Sequence, residues 1–304
     1  MKAQAEPAGV HGSSVIAGLA KAGASWTDLG APRTRGQVIH VEVGGTHAAF
    51  DLSDSQEIHS AATRADVIFK RSCSPTGYGR DVRPLVPTAG YRLGRPPLSH
   101  QAALRGADFL RQVRGIRATP DWSWFDPRQQ GPLVLFQVRA WDTSTGSDPA
   151  DRERVNEDRA AIIRELRVAL GPTFVGGFVP SAFAQNRYPT LLSSSPSTPR
   201  EYAHLAGRAT VGVSTMGLHG SVPWKFAEYL AVGAAIVSEP LGTAFVADPP
   251  MVSFTSASHC VEAVIRLVRE PEEATVLGQL GRAYFESHVR PDEMVRHALM
   301  SLAG

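Results

Sequence analysis

The second half of the chain alternates continuous apolar runs with segments of helical period. The run Pro132–Val138 is typical of a strand buried on both faces, and Asn156–Leu170 places its apolar residues on one helical stripe. Further predicted strands lie at 173–179, 209–214 and 235–238, and further predicted helices at 200–206, 224–232 and 260–268. Strands that alternate with helices at this spacing predict βαβ units, a parallel sheet covered on both faces and a Rossmann-like domain.

The first half is less regular. Its pattern predicts a helix at 13–21, a hairpin of two strands at 37–43 and 47–52 around Gly44-Gly45, a strand at 67–71, a loop-rich stretch at 74–97 and a helix at 102–113. The stretch 119–131 combines proline, glycine and aromatic residues, which is typical of a connection between domains. We therefore predict two domains, 1–130 and 131–304.

One loop of the second half concentrates residues that suit an anion. It follows the predicted strand 209–214, and ligands of parallel sheets bind at the carboxyl ends of the strands. Gly217 and Gly220 allow close backbone approach, and Ser221 is the expected cap of the next helix. Lys225 falls in the first turn of that helix, whose N-terminus favours a phosphate, and Glu228 follows one turn later. A lysine and a glutamate at this spacing are also a common solvated surface pair, and that alternative stays open.

Composition narrows the class of protein. The 304 residues are 43% apolar and 20% charged, a balance that excludes extensive disorder and fibrous repeats. The sequence has no apolar run of ~20 residues and no signal-peptide pattern, so we expect a cytoplasmic protein without integral membrane association. Its two cysteines form no disulfide or metal motif. Only four of the 31 basic residues are lysines, which makes Lys225 an uncommon choice in this chain.

The charge is unevenly distributed. Residues 1–130 carry a net charge of +5 and residues 131–304 a net charge of −3, and the excess lies in 64–117, with 11 basic and 3 acidic residues. This band lacks the interleaved aromatic residues of nucleic-acid surfaces, so we expect no nucleic-acid partner. It suits an acidic acceptor or an acidic carrier protein, although arginines on loops are also ordinary solubilising residues.

The run WKFAEYLAVGAAIVSEPL, Trp224–Leu241, resembles the donor-binding signature of GT-B glycosyltransferases of the group-1 or family-4-like type. FQVRAWD at 136–142 and FVGGFVP at 174–180 are similar to the first strands of their donor domain, and the first half resembles small bacterial members more weakly. The resemblance implies an α/β fold of two Rossmann-like lobes with a cleft between them. Residues 1–130 would bind the acceptor and 131–304 the nucleotide sugar, and a last helix at about 285–303 is expected to cross back to the first lobe.

The implied activity is that of a hexosyltransferase that moves a sugar from a nucleotide-diphosphate sugar, UDP-linked, to a small molecule, a saccharide or a carrier-bound acceptor. The nucleotide sugar is a co-substrate, and no other cofactor is expected. By resemblance Lys225 and Arg139 bind the diphosphate and Glu228 the ribose. The remaining donor-site candidates are Gly217, His219, Gly220, Ser221 and Trp224. His219 alternatively serves as a capping or packing residue.

One departure from the family pattern matters. Retaining family-4 enzymes usually carry a second glutamate eight residues before the ribose-binding one, and here that position is Gly220. The stereochemical outcome is therefore left open. The sequence also has no Asp-x-Asp motif, so we expect a metal-independent reaction in which protein cations stabilise the departing phosphate.

The catalytic base is expected in the first half. Asp51 and Asp54 follow a predicted strand and His11 precedes a predicted helix, which makes all three candidates. The two aspartates are equally well explained as turn or capping residues. Lys70 and Arg71 are the candidates for orienting an acidic acceptor.

Two other functions compete with this one. The missing second glutamate and the irregular first half also fit a non-catalytic nucleotide-sugar-binding partner of another transferase. An NAD-dependent sugar dehydrogenase is disfavoured, because no G-x-G-x-x-G follows a predicted first strand. The oligomeric state is not predicted.

Overall fold

The computed structural model describes residues 2–5, 12–26, 37–91, 93–94, 121–129, 131–146, 148–195 and 198–302. The chain divides into two compact units. Unit 1 comprises Met1–Trp124, Thr243–Asp248 and Phe285–Gly304, and unit 2 comprises Phe125–Gly242 and Pro249–Tyr284. The predicted helix at 102–113 and the candidate base His11 lie outside the described residues. The binding roles that the sequence assigns to 1–130 and 131–304 stay predictions.

Unit 1 contains a six-stranded mixed sheet in the order β2-β1-β3-β4-β5-β6. Its strands are β1 Lys2–Ala5, β2 Ser25–Trp26, β3 Val38–Val43, β4 Thr46–Asp51, β5 Val67–Lys70 and β6 Val82–Pro84. The predicted hairpin is confirmed: β3 and β4 pair antiparallel, and Gly44 and Gly45 both have positive φ, as a tight hairpin turn requires. The stretch 74–97, predicted to be loop-rich, contains the short edge strand β6, which tolerates Pro84 at its end.

Unit 2 contains a parallel five-stranded sheet in the order β11-β10-β9-β7-β8. Its strands are β7 Val134–Val138, β8 Phe174–Phe178, β9 Val211–Ser214, β10 Ala235–Ser238 and β11 Val252–Ser253. Each of the four strands predicted in this half is present, and the α/β class is confirmed. The short β11 was not predicted, because two residues carry no pattern.

The described residues form eight α-helices. In chain order, α1 is Gly12–Lys21, α2 Pro149–Leu170, α3 Ala182–Arg187, α4 Pro199–Arg208, α5 Trp224–Val232, α6 Ala257–Arg269, α7 Pro271–Tyr284 and α8 Pro291–Met300.

Helices of unit 2 cover both faces of its parallel sheet. Side chains of α2 and α6 pack in one core cluster with Val211 and Val213 of β9. Gly212 points to the other face, where an added Cβ would lie 2.5 Å from the ring of Tyr229 in α5. No helix in the described part of the chain is long and apolar enough to cross a membrane.

The last helix, α8, packs on α1 within unit 1. The two helices touch at Gly18, where an added Cβ would overlap the carbonyl oxygen of Pro291 and approach Cγ2 of Val295 to 2.5 Å. Arg83 of β6 also donates to the Ser301 hydroxyl just beyond α8, at 3.1 Å. The C-terminal segment is therefore part of the packing of unit 1.

We predict that Gly18→Ala destabilises the protein. Alanine normally stabilises a helix by about 1 kcal/mol relative to glycine, but here the methyl group would force α1 and α8 apart. The expected loss is about 1–3 kcal/mol in the free energy of unfolding, measured by urea denaturation. Gly79→Ala is the control, because a Cβ there meets no atom within 4 Å. Equal stability of the two variants would contradict this packing.

Candidate functional site

The segment between β9 and α5 is a compact loop at the carboxyl end of the parallel sheet. The Gly217 N–H donates to the Ser221 carbonyl at 2.7 Å, and the Ser221 N–H donates to the Leu218 carbonyl at 3.2 Å. His219 and Gly220 both have positive φ, 57° and 69°. At Gly217 an added Cβ would lie 2.5 Å from the Ser221 hydroxyl, which would have to move. The glycines of this loop thus shape a tight turn directly before α5.

The capping residue of α5 is not the one that the sequence predicted. Ser221 was predicted to cap the helix, but the helix begins at Trp224 and its capping residue is Pro223, with no side-chain hydrogen bond. Ser221 instead closes the preceding loop through its backbone. The first turn of a helix carries backbone N–H groups and a partial positive charge. Without a side-chain cap, this end of α5 retains the character of an anion site.

Lys225 lies in this first turn and is half-buried. Its Nζ is 3.6 Å from the centroid of the Tyr202 ring, a cation–π contact with α4. Burial lowers the pKa of Lys225 to about 8; Glu228 opposes this shift, and Arg139 and Arg159 add to it. Glu228 is buried one turn further along α5. The predicted pair is therefore not a solvated surface pair.

Three cations converge at the ends of β7 and β9. Arg139 directly follows β7 and is exposed, whereas Arg159 of α2 is buried. Both lie close enough to Lys225 to disfavour its charged form. Holding like charges close together costs free energy, and a bound anion would offset that cost. Arg139 and Lys225 are thus close enough to interact electrostatically, and their role in binding a diphosphate stays a prediction.

Arg159 is the site residue that the sequence analysis missed. Its guanidinium donates to the Thr215 hydroxyl at 3.0 Å, to the Arg139 carbonyl at 2.8 Å and to the Met216 carbonyl at 3.1 Å. Burial lowers the pKa of Arg159 to about 10, against the opposing charge of Glu239. One signal was present: Arg159 falls in register with Ile163 on the apolar stripe of α2, where a charged residue is unusual.

The remaining donor-site candidates have different surroundings. Trp224 is half-buried at the first position of α5, and His219 is exposed. The backbone N–H of His219 donates to Asp151 Oδ2 at 3.0 Å. Ligand atoms of Asp148, Asp151 and His219 lie within 4.8 Å of one another, the one such group among the described residues. Asp151 is also paired with Arg154 at 2.6 Å, and metal independence stays a prediction.

Asp51 and Lys70, predicted as a base and an acceptor-binding residue, form a completely buried ion pair in unit 1. Lys70 Nζ lies 3.3 Å from Asp51 Oδ2, and both side chains have 0% exposure. Asp51 also accepts from the Ser53 N–H and hydroxyl at 3.0 and 2.7 Å, and from the His59 N–H at 2.8 Å. Burial lowers the pKa of Lys70, and Asp51 opposes that shift. A base must reach its substrate, so this geometry favours a structural role for both residues.

Asp54 and Arg71 form a second ion pair in the same unit. Arg71 is buried, whereas the Asp54 side chain is 51% exposed. Burial lowers the pKa of Arg71, and the neighbouring Asp54 opposes this. Of the two predicted aspartates, Asp54 is the one that solvent reaches.

We predict that Asp51→Asn lowers the free energy of unfolding by about 3–5 kcal/mol, because it leaves the buried Lys70 ammonium without its counter-charge. Asp54→Asn is the comparison, and because solvent reaches Asp54 it should cost less than Asp51→Asn. Urea denaturation measures both. An Asp51→Asn protein of wild-type stability that has lost all turnover would instead identify Asp51 as the base.

No protein-family model matches the sequence, and no curated protein matches it. Among solved structures, the fold is similar to that of the Anabaena protein Alr3699/HepE in complex with UDP and glucose, with a TM-score of 0.45 and 10% identity over 79% of this chain and 63% of that chain. It is also similar to TarM, with a TM-score of 0.40 and 11% identity over 89% of this chain and 64% of that one. A third similar structure is AviGT4, a glycosyltransferase involved in avilamycin A biosynthesis, with a TM-score of 0.31 and 14% identity over 79% of this chain and 75% of that one. The chain thus spans somewhat less than two thirds of the first two chains.

Proposed function

We propose that the chain is a glycosyltransferase whose unit 2 binds the diphosphate of a nucleotide sugar. The observation that carries this proposal is the convergence of Lys225, Arg139 and Arg159 at the N-terminus of α5 and the ends of β7 and β9. Glu228, buried one turn from Lys225, supplies a carboxylate that can accept hydrogen bonds from a ribose diol. UDP is the proposed nucleotide on the resemblance of the signature at Trp224–Leu241.

The reaction would use these groups to stabilise the leaving group. Breaking the bond between the anomeric carbon and the diphosphate places negative charge on the departing oxygen. Lys225, Arg139 and the first-turn N–H groups of α5 would stabilise that charge, and we propose that no metal is required. The acceptor would be a small molecule, a saccharide or a carrier-bound group, and exposed Asp54 is the candidate base among the described residues.

A second function has one observation in its favour. Gly220 stands where a retaining enzyme of this type would carry a glutamate, so a nucleotide-sugar-binding protein without turnover would show the same diphosphate site. The two functions share UDP binding and differ in chemistry. Release of UDP from a nucleotide sugar therefore distinguishes them.

We predict that Lys225→Ala weakens UDP binding about tenfold or more, because it removes a charge-assisted contact to the diphosphate. Isothermal titration calorimetry with UDP, ADP and GDP measures the affinity, and UDP release from a panel of UDP-sugars measures turnover, both in the presence of EDTA. Lys21→Ala is the matched control, since Lys21 is an exposed lysine at the end of α1.

Each outcome of this experiment has a meaning. Binding and turnover that depend on Lys225 but not on Lys21 support the transferase, and binding without turnover across the panel supports the binding protein. UDP affinity that is unchanged in Lys225→Ala would overturn the proposed site. Turnover that EDTA abolishes and magnesium restores would overturn metal independence.

We further predict that UDP binding takes up protons near pH 8. Lys225, with a pKa of about 8, is about half deprotonated there in the free protein, and a diphosphate anion raises that pKa. UDP affinity should thus fall as the pH rises through 8. Calorimetry in two buffers of different ionisation enthalpy should give an uptake of about half a proton, and Lys225→Arg should remove it. A binding enthalpy independent of the buffer would contradict this assignment of the anion contact.

A further inference from the structure

Helix α2 carries polar side chains that hold two loops at once. Asn156 accepts from the Trp141 N–H at 2.8 Å and donates to the Trp141 carbonyl at 2.7 Å, which fixes the loop after β7. Asp151 accepts from the His219 N–H, which fixes the loop after β9. Arg159 lies one turn beyond Asn156 along the helix and bonds to both loops. One helix thus connects the segment that carries Arg139 with the segment that leads to Lys225.

Arg159 is a buried cation that donates hydrogen bonds to neutral groups. It is 5% exposed, and its hydrogen bonds go to one hydroxyl and two backbone carbonyls at the ends of β7 and β9. A buried guanidinium is costly unless its N–H groups are satisfied, and its planar fork fixes the positions of its acceptors. Glu239, after β10, accepts from the Met216 N–H at 2.5 Å and so holds the same residue from the other side. Met216 is therefore fixed through both its carbonyl and its N–H.

We propose that Arg159 is a positioning residue for the reaction, which sets the separation between Arg139 and the loop of Lys225 that the diphosphate must bridge. This inference rests on the proposed function. Because Arg159 binds the Arg139 carbonyl and the Thr215–Met216 segment together, a shift of its guanidinium moves both sides of the anion site. Errors of about 1 Å in such positions cost far more in turnover than in stability.

The test uses a graded series in the full chain. Arg159→Met removes all three hydrogen bonds, Arg159→Lys keeps the charge without the fork, and Thr215→Val removes only the acceptor of the Arg159 Nε bond in a buried position of similar volume. Arg164→Met is the control, the same substitution on the same helix at a residue whose side chain is 53% exposed. The measurements are the UDP dissociation constant, kcat and KM for UDP release, thermal unfolding, and hydrogen exchange of residues 139–142 and 215–220.

We expect Arg159→Met to weaken UDP binding about tenfold and to lower kcat by more, with Arg159→Lys in between. Thr215→Val should lower kcat about threefold to tenfold with a smaller loss of thermal stability than Arg159→Met, and exchange in both loops should accelerate together. If Arg159→Met does not fold, Thr215→Val decides the question. Variants that lose stability but keep UDP affinity and kcat, or loosen only one loop, would overturn the positioning role.

The same measurements distinguish failure of the proposed function from failure of the inference about Arg159. A wild-type protein that binds no UDP would refute the diphosphate site itself, whatever the variants do. The hydrogen-exchange comparison still decides whether Arg159 couples the two loops, because it requires no ligand. Wild-type binding with unaffected variants refutes only the inference about Arg159.

Discussion

The convergence of like charges at the end of a parallel sheet is the constraint on which the rest of unit 2 depends. Arg139 and Arg159 disfavour the charged form of Lys225, and different contacts hold each of the three residues in place. Lys225 rests on the Tyr202 ring, Arg159 is satisfied by backbone carbonyls, and Arg139 extends from a backbone that Arg159 holds. A fold that places cations together against their mutual repulsion is prepared for an anion, and the neighbouring helix N-terminus favours the same ligand.

The parallel sheet of unit 2 could be predicted because its strands are buried on both faces. Short, largely apolar runs such as Val134–Val138 and Ala235–Ser238 are typical of such strands, and α5 was predicted with its observed limits. Unit 1 was less accessible to prediction. Its strands β1, β2 and β6 have only four, two and three residues, too few for a pattern that identifies a strand, so pairing with a neighbouring strand defines them.

The residues of the candidate site also differ in whether the sequence alone could predict them. Lys225 and Glu228 were accessible from sequence because a glycine-rich loop before a helix is a local pattern, and the resemblance added Arg139. Arg159 and Thr215 meet across 56 positions of sequence, and no local pattern records such a contact. Asp51 shows the limit of local pattern: a carboxylate after a strand resembles a catalytic base, but its environment, a buried lysine and three hydrogen-bond donors, is created only by tertiary packing.

A crystal structure of the protein with UDP would show where the anion binds. We expect diphosphate oxygens within about 2.7–3.2 Å of Lys225 Nζ and of the first-turn N–H groups of α5, with the ribose hydroxyls at Glu228. A diphosphate bound elsewhere, or a nucleotide whose ribose lies away from Glu228 while Lys225 remains on the Tyr202 ring, would contradict it.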